Sequence, residues 1–250
     1  MSIGWFNGLL TAWFVMAVGS FISLFFKPAP YGRYFETGWG KALNARAGWI
    51  LMEAPAALVL PIWYLTSDRI RDPAAIAFVL LWSLHYLHRA FIYPMKKTAG
   101  RPMPFFLAAC AMAFNMFNGS FNGAWLFHLS PGYESSWLLT APFLIGTAVF
   151  LLGFVINLTA DYTLLRLRAQ GERYQVPQGL VFRWVSCPNY LGEILEWFGW
   201  AILTWSVAGL SFAVWTAANL APRAITHHRF YREKVEGYPT QRRALIPYLF

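Results

Sequence analysis

Five stretches of this chain are apolar for as long as a helix that crosses a lipid bilayer, near residues 5–26, 46–66, 73–94, 104–127 and 137–158. A crossing helix needs roughly 20 apolar residues at a rise of about 1.5 Å each. Inside the hydrocarbon layer the backbone has no water to bond, so each stretch must satisfy its own amides and carbonyls as a helix. The fold class that follows is all-α, a multi-pass integral membrane protein. Composition agrees, with 58% hydrophobic and only 12% charged residues in a chain of 250, against about 25% charged in soluble domains. A soluble core of this size could not bury so much apolar surface. Thirteen Trp, twelve Tyr and 22 Phe suit two membrane interfaces. The run from Trp5 to Phe26 has no basic start and reads as a retained span, not a cleaved signal peptide.

A further apolar region, about 190–220, is long for one crossing and short for two. Charge decides. If it is two short helices that turn near Ser206–Gly209, the chain has seven transmembrane helices. One side then receives Lys27, Arg33, Lys41 and Arg46, then Lys96, Lys97 and Arg101, then Arg166, Arg168, Arg173 and Arg183, and finally Arg223, Arg229, Arg232, Lys234, Arg242 and Arg243. Those are seventeen basic residues against Arg69 and Arg71 on the other side. A six-span chain would put the six tail charges on the wrong side. The expected topology is therefore N-terminus outside and C-terminus cytosolic. The net charge of +9 expresses that bias, and no nucleic acid partner is expected. Cys110 and Cys187 cannot make a disulfide framework. No internal repeat is present, and residues 1–250 read as a single membrane domain.

Ionisable residues at membrane depth are expensive and mark function by default. Glu53 lies in the second span, followed by Pro55, which is expected to distort the helix. It is either a hydrogen-bonded structural glutamate or an acid or hydrogen-bond partner facing a cavity. In the third span, Tyr86 and Arg89 share a face at i,i+3, as do His85 and Arg89 at i,i+4. A metal or haem on His85 and His88 would need more ligands, so interior hydrogen bonding is the reading and no metal is expected. Asn157 and Asp161 stand at i,i+4 where the fifth span meets a basic segment, which by itself also fits a plain helix end. Pro188 suits a first helical turn. After it Asn189, Glu193 and Glu196 make one polar stripe, and Arg223, His227 and Tyr231 make another. Either these stripes form a structural network, or they bind something large, polar and anionic. No Gly-x-Gly-x-x-Gly is present to bind a nucleotide in a Rossmann manner.

The same residues resemble the steroid 5α-reductase family. The C-terminal half carries Asn157, Asp161-Tyr162, Leu167-Arg168, Tyr174, Pro177-Gln178-Gly179, Val185-Ser186 and Asn189-Tyr190-Leu191-Gly192-Glu193. It continues with Glu196-Trp197, Arg223-Ala224, His227-His228-Arg229-Phe230-Tyr231, Tyr238-Pro239 and Arg242-Arg243-Ala244-Leu245-Ile246-Pro247. In the N-terminal half Arg46-Ala47, Trp49, Glu53, Pro55, Leu84-His85-Tyr86, His88-Arg89 and Gly100-Arg101-Pro102 resemble the steroid branch. The likeness spans nearly the whole chain and is weakest over about 1–30 and 125–150. Two positions depart from the pattern. Ala160 stands where Ser often precedes the Asp, and Leu180 follows Gly179 where a second Gly is usual.

The resemblance implies a seven-helix membrane fold that holds NADPH among cytosolic loops and C-terminal helices. Residues 1–130 would mainly form the substrate pocket, and 131–250 would mainly bind the cofactor. Arg89, Arg101, Asn157, Asp161, Arg168, Tyr174, Asn189, Glu193, Arg223, His227 and Tyr231 match cofactor-contacting positions. Glu53 and Tyr86 match the catalytic pair that holds the substrate's 3-keto oxygen, and Trp49 and Phe114 match pocket-lining positions. The reaction implied is reduction of the 4,5 double bond of a 3-keto-4-ene steroid. Tyr86 suits it as a neutral donor with a pKa near 10, and Glu53 would donate as well or orient Tyr86. The lipophilic substrate would enter from the bilayer, with membrane lipid the other contact and no obligate protein partner. The compartment would be the inner membrane in a bacterium or the endoplasmic reticulum in a eukaryote, with the cofactor site facing the cytosol. The rival readings are a reductase of another lipid (a sterol ring, a polyprenol or an enoyl thioester) and an S-adenosylmethionine-dependent membrane methyltransferase. The methyltransferase has no use for Glu53 and Tyr86, and its cofactor has no phosphate for the arginines. A receptor or transporter would line a through-path at the midplane instead.

Overall fold

A computed structural model of the chain describes residues 2–27, 34, 38–97, 102–171 and 175–249. They are mostly helical. The helices are α1 (Ile3–Phe26), α2 (Ala45–Leu65), α3 (Pro73–Lys96), α4 (Phe105–Ala124), α5 (Ala141–Ala169), α6 (Pro188–Thr204) and α7 (Val207–Lys234). Helix α3 is interrupted by a π turn over His88–Ile92, and a second π turn, Trp125–Leu129, continues α4. The expected all-α class is modified by one antiparallel ladder, β1 (Ala42–Leu43) with β2 (Met103–Pro104), in which Ala42 faces Pro104 and Leu43 faces Met103. Among the described residues α1, α2, α3 and α5 are long and apolar enough to cross a membrane.

The chain divides into two compact units. The first comprises residues 1–10 and 29–144, the second residues 11–28 and 145–250. In the first unit, the Asn44 side chain caps α2 by accepting from Arg46 N at 2.9 Å and Ala47 N at 3.3 Å. Helix α2 is continuous through Pro55 and Pro61. Neighbouring helices brace the stretch around Pro55, because Asn115 Nδ2 donates to Met52 O at 2.7 Å and Trp82 Nε1 to Ala56 O at 2.8 Å. Helix α4 approaches α2 through Gly119 and Gly123, where a Cβ would stand 3.2 Å from Val59 and 2.6 Å from Trp63. Arg69 donates to Leu126 O at 2.9 Å and to Ser130 O at 2.5 Å, so it caps the end of the α4 π turn. Phe6 of α1 stacks on Trp125 at 5.8 Å.

The second unit is organised by bare backbone contact. Helices α5 and α6 run antiparallel and meet at Gly146, Gly153, Gly192 and Gly199, each of which touches the facing backbone. A Cβ at Gly192 would stand 2.4 Å from Asn157 N and 2.6 Å from Gly153 O. Helix α5 continues well past residue 158, where the apolar run ends. Its polar end stays helical because Asn157 and Asp161 find partners on α6. The region 190–220 is two helices, as expected. The turn is made by Trp205 in the left-handed conformation (φ +43°) and by Ser206, whose side chain accepts from Gly209 N at 2.9 Å. Pro188 occupies the first turn of α6. The tail folds back on the segment before α6, with Ser186 N donating to Arg243 O at 2.8 Å and Arg243 N to Trp184 O at 2.9 Å. Behind it, Cys187, Ala224, Ala244 and Leu245 form a small apolar core.

Candidate active site

Two polar groups stand out, one in each unit. In the first, Glu53 of α2 is held from two sides. Its Oε2 accepts from Asn115 Nδ2 of α4 at 3.4 Å, and its Oε1 lies 3.9 Å from Arg89 Nε of α3. Both Glu53 and Arg89 are nearly buried, with side chains 13% and 12% exposed. A carboxyl in an apolar setting needs such donors. Arg89 is itself caged, its guanidinium 4.8 Å from the Trp49 ring and 5.1 Å from the Tyr93 ring. Trp49 Nε1 donates to Arg89 O at 3.0 Å.

Helices α2 and α3 run antiparallel, and the pairs Glu53–Arg89 and Ala56–Trp82 fix their register. These pairs bracket Tyr86, which comes level with residues 53–56. Tyr86 is 3% exposed, with its ring 4.9 Å from Trp82 and 4.8 Å from His85, which is equally buried. Phe114 is half-buried and directly precedes Asn115 on α4. Glu53, Tyr86, Arg89 and Trp49 therefore gather around one stretch of α2 and α3. What they form is a buried tyrosine at the level of a carboxyl held by two donors.

The second group lies on α5, α6 and α7. Asn157 and Asp161 are each 4% exposed. Asn157 Nδ2 donates to Asn189 O at 2.9 Å and to Glu193 Oε2 at 3.3 Å, and Asn189 Nδ2 donates to Asp161 Oδ1 at 3.0 Å. The glycine contacts bring α5 and α6 close enough for these short side chains to reach. Arg223 and His227 of α7 both face Tyr190, with the guanidinium 5.4 Å and the imidazole 5.8 Å from its ring. Tyr231 departs from that pair and stacks on Tyr238 at 5.2 Å. Arg168 is exposed at the end of α5. Arg101 and Tyr174 lie outside the described residues.

Beside Tyr231, Ser186 Oγ shares hydrogen bonds with Tyr238 Oη at 2.5 Å and His228 Nδ1 at 2.6 Å. Burial and the nearby Arg232 and Arg243 charges push His228 below the ordinary histidine range. Burial also raises the Tyr238 hydroxyl.

Two residues escape the sequence reading. Asn115, which holds Glu53, belongs with Asn118 and Asn122 to a stripe at i, i+3 and i+7 in an apolar run, a signal that periodicity could have flagged. Arg242 is 3% exposed; its Nη2 donates to Gln178 Oε1 at 3.3 Å, and its guanidinium lies 5.3 Å from the Tyr238 ring. Its Nε and Nη1 are buried without acceptors, and it makes no ion pair among the described residues. Nothing in its sequence surroundings reveals this, because its burial depends on how the tail folds back. Leu180 explains one of the two departures. It takes φ +43°, a left-handed conformation that glycine adopts freely and leucine at a cost of about 1–2 kcal/mol.

Comparison with known proteins points one way. A family model described as 3-oxo-5-alpha-steroid 4-dehydrogenase matches residues 101–250. Steroid 5-alpha-reductase DET2 of Gossypium hirsutum is 36% identical over 251 residues, which covers 98% of this chain and 97% of that protein. The Arabidopsis thaliana protein of the same name is 38% identical, covering 92% of this chain and 90% of its own length. Human 3-oxo-5-alpha-steroid 4-dehydrogenase 2 is 39% identical over 241 residues, 94% of each chain.

Proposed function

This chain belongs to the 3-oxo-5-alpha-steroid 4-dehydrogenase family of oxidoreductases, the steroid 5α-reductases, and from that membership we propose that it reduces the 4,5 double bond of 3-keto-4-ene steroids with NADPH. The observation that carries the reading is the Glu53 carboxyl, fixed by Arg89 and Asn115 at the level of the buried Tyr86 hydroxyl. Reduction of a conjugated ketone places growing negative charge on the carbonyl oxygen. A preorganised donor in a water-poor site lowers that barrier more than any donor in solvent. Tyr86 is the donor to the 3-keto oxygen, and Glu53 holds the position of the polar cluster around it. Trp49 and Phe114 present apolar surface to the rings. NADPH, when bound, supplies the hydride for the β carbon. The test is direct: purified protein with NADPH and a 4-ene-3-keto steroid should yield the 5α-reduced ketone. Recovery of unchanged steroid would refute the assignment.

The second group of residues fits a nucleotide with several phosphates. A buried guanidinium without a carboxylate partner is costly unless an anion meets it, and Arg242 is such a group among the described residues. Asn157, Asp161, Asn189 and Glu193 offer both donors and acceptors, and Tyr190, Arg223 and His227 offer rings and charge. Together with Arg168 and Tyr231 they are the residues that would hold NADPH, and by family resemblance Arg89, Arg101 and Tyr174 join them. Glu193→Ala and Arg242→Met should each weaken NADPH binding at least about tenfold, or 1.4 kcal/mol, in a fluorescence titration of folded protein. Wild-type affinity in either variant would remove that residue from the site.

The chain is an integral membrane protein, and its topology follows from charge. All seven helices cross the bilayer, with seventeen basic residues on the cytosolic side and the cofactor site facing them. A reporter fused after Phe250 should read cytosolic, and an external signal would overturn the seven-span topology. The steroid is apolar and enters from the lipid.

A further inference from the structure

Residues 184–187 and 243–244 run side by side in the same direction. Arg243 N donates to Trp184 O at 2.9 Å, Ser186 N to Arg243 O at 2.8 Å and Cys187 N to Ala244 O at 3.2 Å. The first segment leads into α6 at Pro188. The tail is parallel to it, so it heads the same way and then turns back over 246–249. There Leu249 N donates to Ile246 O at 3.2 Å and Tyr248 takes φ +65°. The depth of this turn follows from α5, which is apolar enough to cross a membrane. Its apolar run ends near residue 158, and Arg166 and Arg168 stand beyond. Asn189 of α6 donates to Asp161 of α5 at 3.0 Å. The start of α6 and the tail beside it therefore come level with the first polar turn of α5, where hydrocarbon gives way to headgroups. The 3-10 turn Leu180–Arg183 lies at a similar level, because Leu180 and Val181 line one shallow hollow with Ile156, Thr159 and Ala160 of α5.

Large apolar side chains project from both turns. Leu180 is 65% exposed and Trp184 40%, and in the tail Ile246 is 42%, Tyr248 78% and Leu249 81% exposed. Leu180 also keeps its left-handed backbone, although packing of so exposed a side chain offsets none of the strain. Arg183 sets its guanidinium 5.1 Å from the Trp184 ring, and both Arg183 and Arg243 are exposed. Apolar and aromatic bodies with basic tips are what the boundary between acyl chains and phosphates selects. We propose that the turns at 180–184 and 246–249 form one interfacial anchor. It lays Leu180, Trp184, Tyr248 and Leu249 among the upper acyl chains of the leaflet at the Arg166 end of α5, and it sets Arg183 and Arg243 against lipid phosphates. The occupant is the bilayer and not a second protein, because α5 fixes the depth and the basic charge complements anionic headgroups.

The test uses the full chain in nanodiscs of phosphatidylcholine and phosphatidylglycerol. Cys110→Ser removes the exposed thiol, and Cys187 is buried. A nitroxide is attached at Leu180→Cys or at Leu249→Cys, with Val155→Cys as the reference in lipid and Gln170→Cys as the reference in water. Val155 is 52% exposed within the apolar part of α5, and Gln170 is exposed just beyond its end. Both test labels should relax more with oxygen, which concentrates in lipid, than with a water-soluble nickel chelate, in a ratio close to that at Val155. A ratio like that at Gln170 for either label overturns the inference. Spin–spin broadening between chains also overturns it, since the tail then meets a second copy. Should a labelled variant not fold, the wild-type protein decides with a phospholipid that carries a photoreactive diazirine near its headgroup. Peptides covering 180–184 and 246–249 should be crosslinked, and crosslinks confined to the helices overturn the inference.

Discussion

A Tyr86→Phe protein should fold, bind NADPH with wild-type affinity, and reduce a 3-keto-4-ene steroid at least about 100-fold more slowly in a single turnover, the effect of losing one oxyanion donor. The substitution deletes one oxygen and keeps the ring that packs on Trp82 and His85. Substitutions at Glu53 should separate two roles. Glu53→Gln keeps the size and a partner for Asn115 but replaces the carboxyl group that faces Arg89, so it should slow turnover. Glu53→Ala also removes the link between α2 and α4, so it should weaken steroid binding as well. A purely structural account of these residues makes the opposite forecast, with lower melting temperatures and normal turnover per folded molecule. Melting temperature, NADPH affinity and single-turnover rate on the same preparation distinguish the accounts. A stable Tyr86→Phe enzyme with the wild-type rate would end the proposed mechanism, though not the family membership.

Gly192→Ala is the second large effect expected. One methyl there meets Asn157 N, Gly153 O and Asn157 Cα within 2.9 Å, and all three are backbone atoms that no rotamer change can move aside. Helices α5 and α6 would have to separate. Overpacking of this kind costs about 1–3 kcal/mol. Separation would also pull Asn157 away from Asn189 and Glu193, so NADPH affinity should fall together with the melting temperature. Gly19→Ala is the control. Gly19 sits in α1 with nothing within 4 Å, and the change should be neutral or stabilising by up to about 1 kcal/mol. Equal effects at the two glycines would show that the α5–α6 contact does not matter.

The positions of α1, α2 and α3 were legible because an apolar run bounded by polar residues maps directly onto a helix. Asn44 starts α2 within a residue or two of where the run begins, and Pro73 opens α3. The pairing of Asn157 and Asp161 with Asn189 and Glu193 was half legible, since helical spacing puts each pair on one face but cannot say that the faces meet. What brings them together is the set of glycines on α5 and α6, whose spacing becomes meaningful only once the two helices are known to touch. Asn115 was hidden for a different reason. Glu53 has to be given a donor, and only tertiary packing chooses among the polar residues of an apolar helix. The burial of Arg242 depends on the tail returning to Trp184 and Ser186, a long-range event with no local signal. The π turns were invisible because an extra residue per turn leaves composition unchanged.

The π turn at His88–Ile92 has a consequence for how this protein can change in length. A wide turn holds one more residue than an α turn while the segments on either side keep their faces. Deleting Phe91 or Ile92, both exposed, would close it into an ordinary α turn, leaving Tyr86 turned to Trp82 and Pro94 still within reach of Arg46. The third helix can therefore lose one residue beside its buried tyrosine without turning that tyrosine away, a tolerance that an unbroken helix would lack.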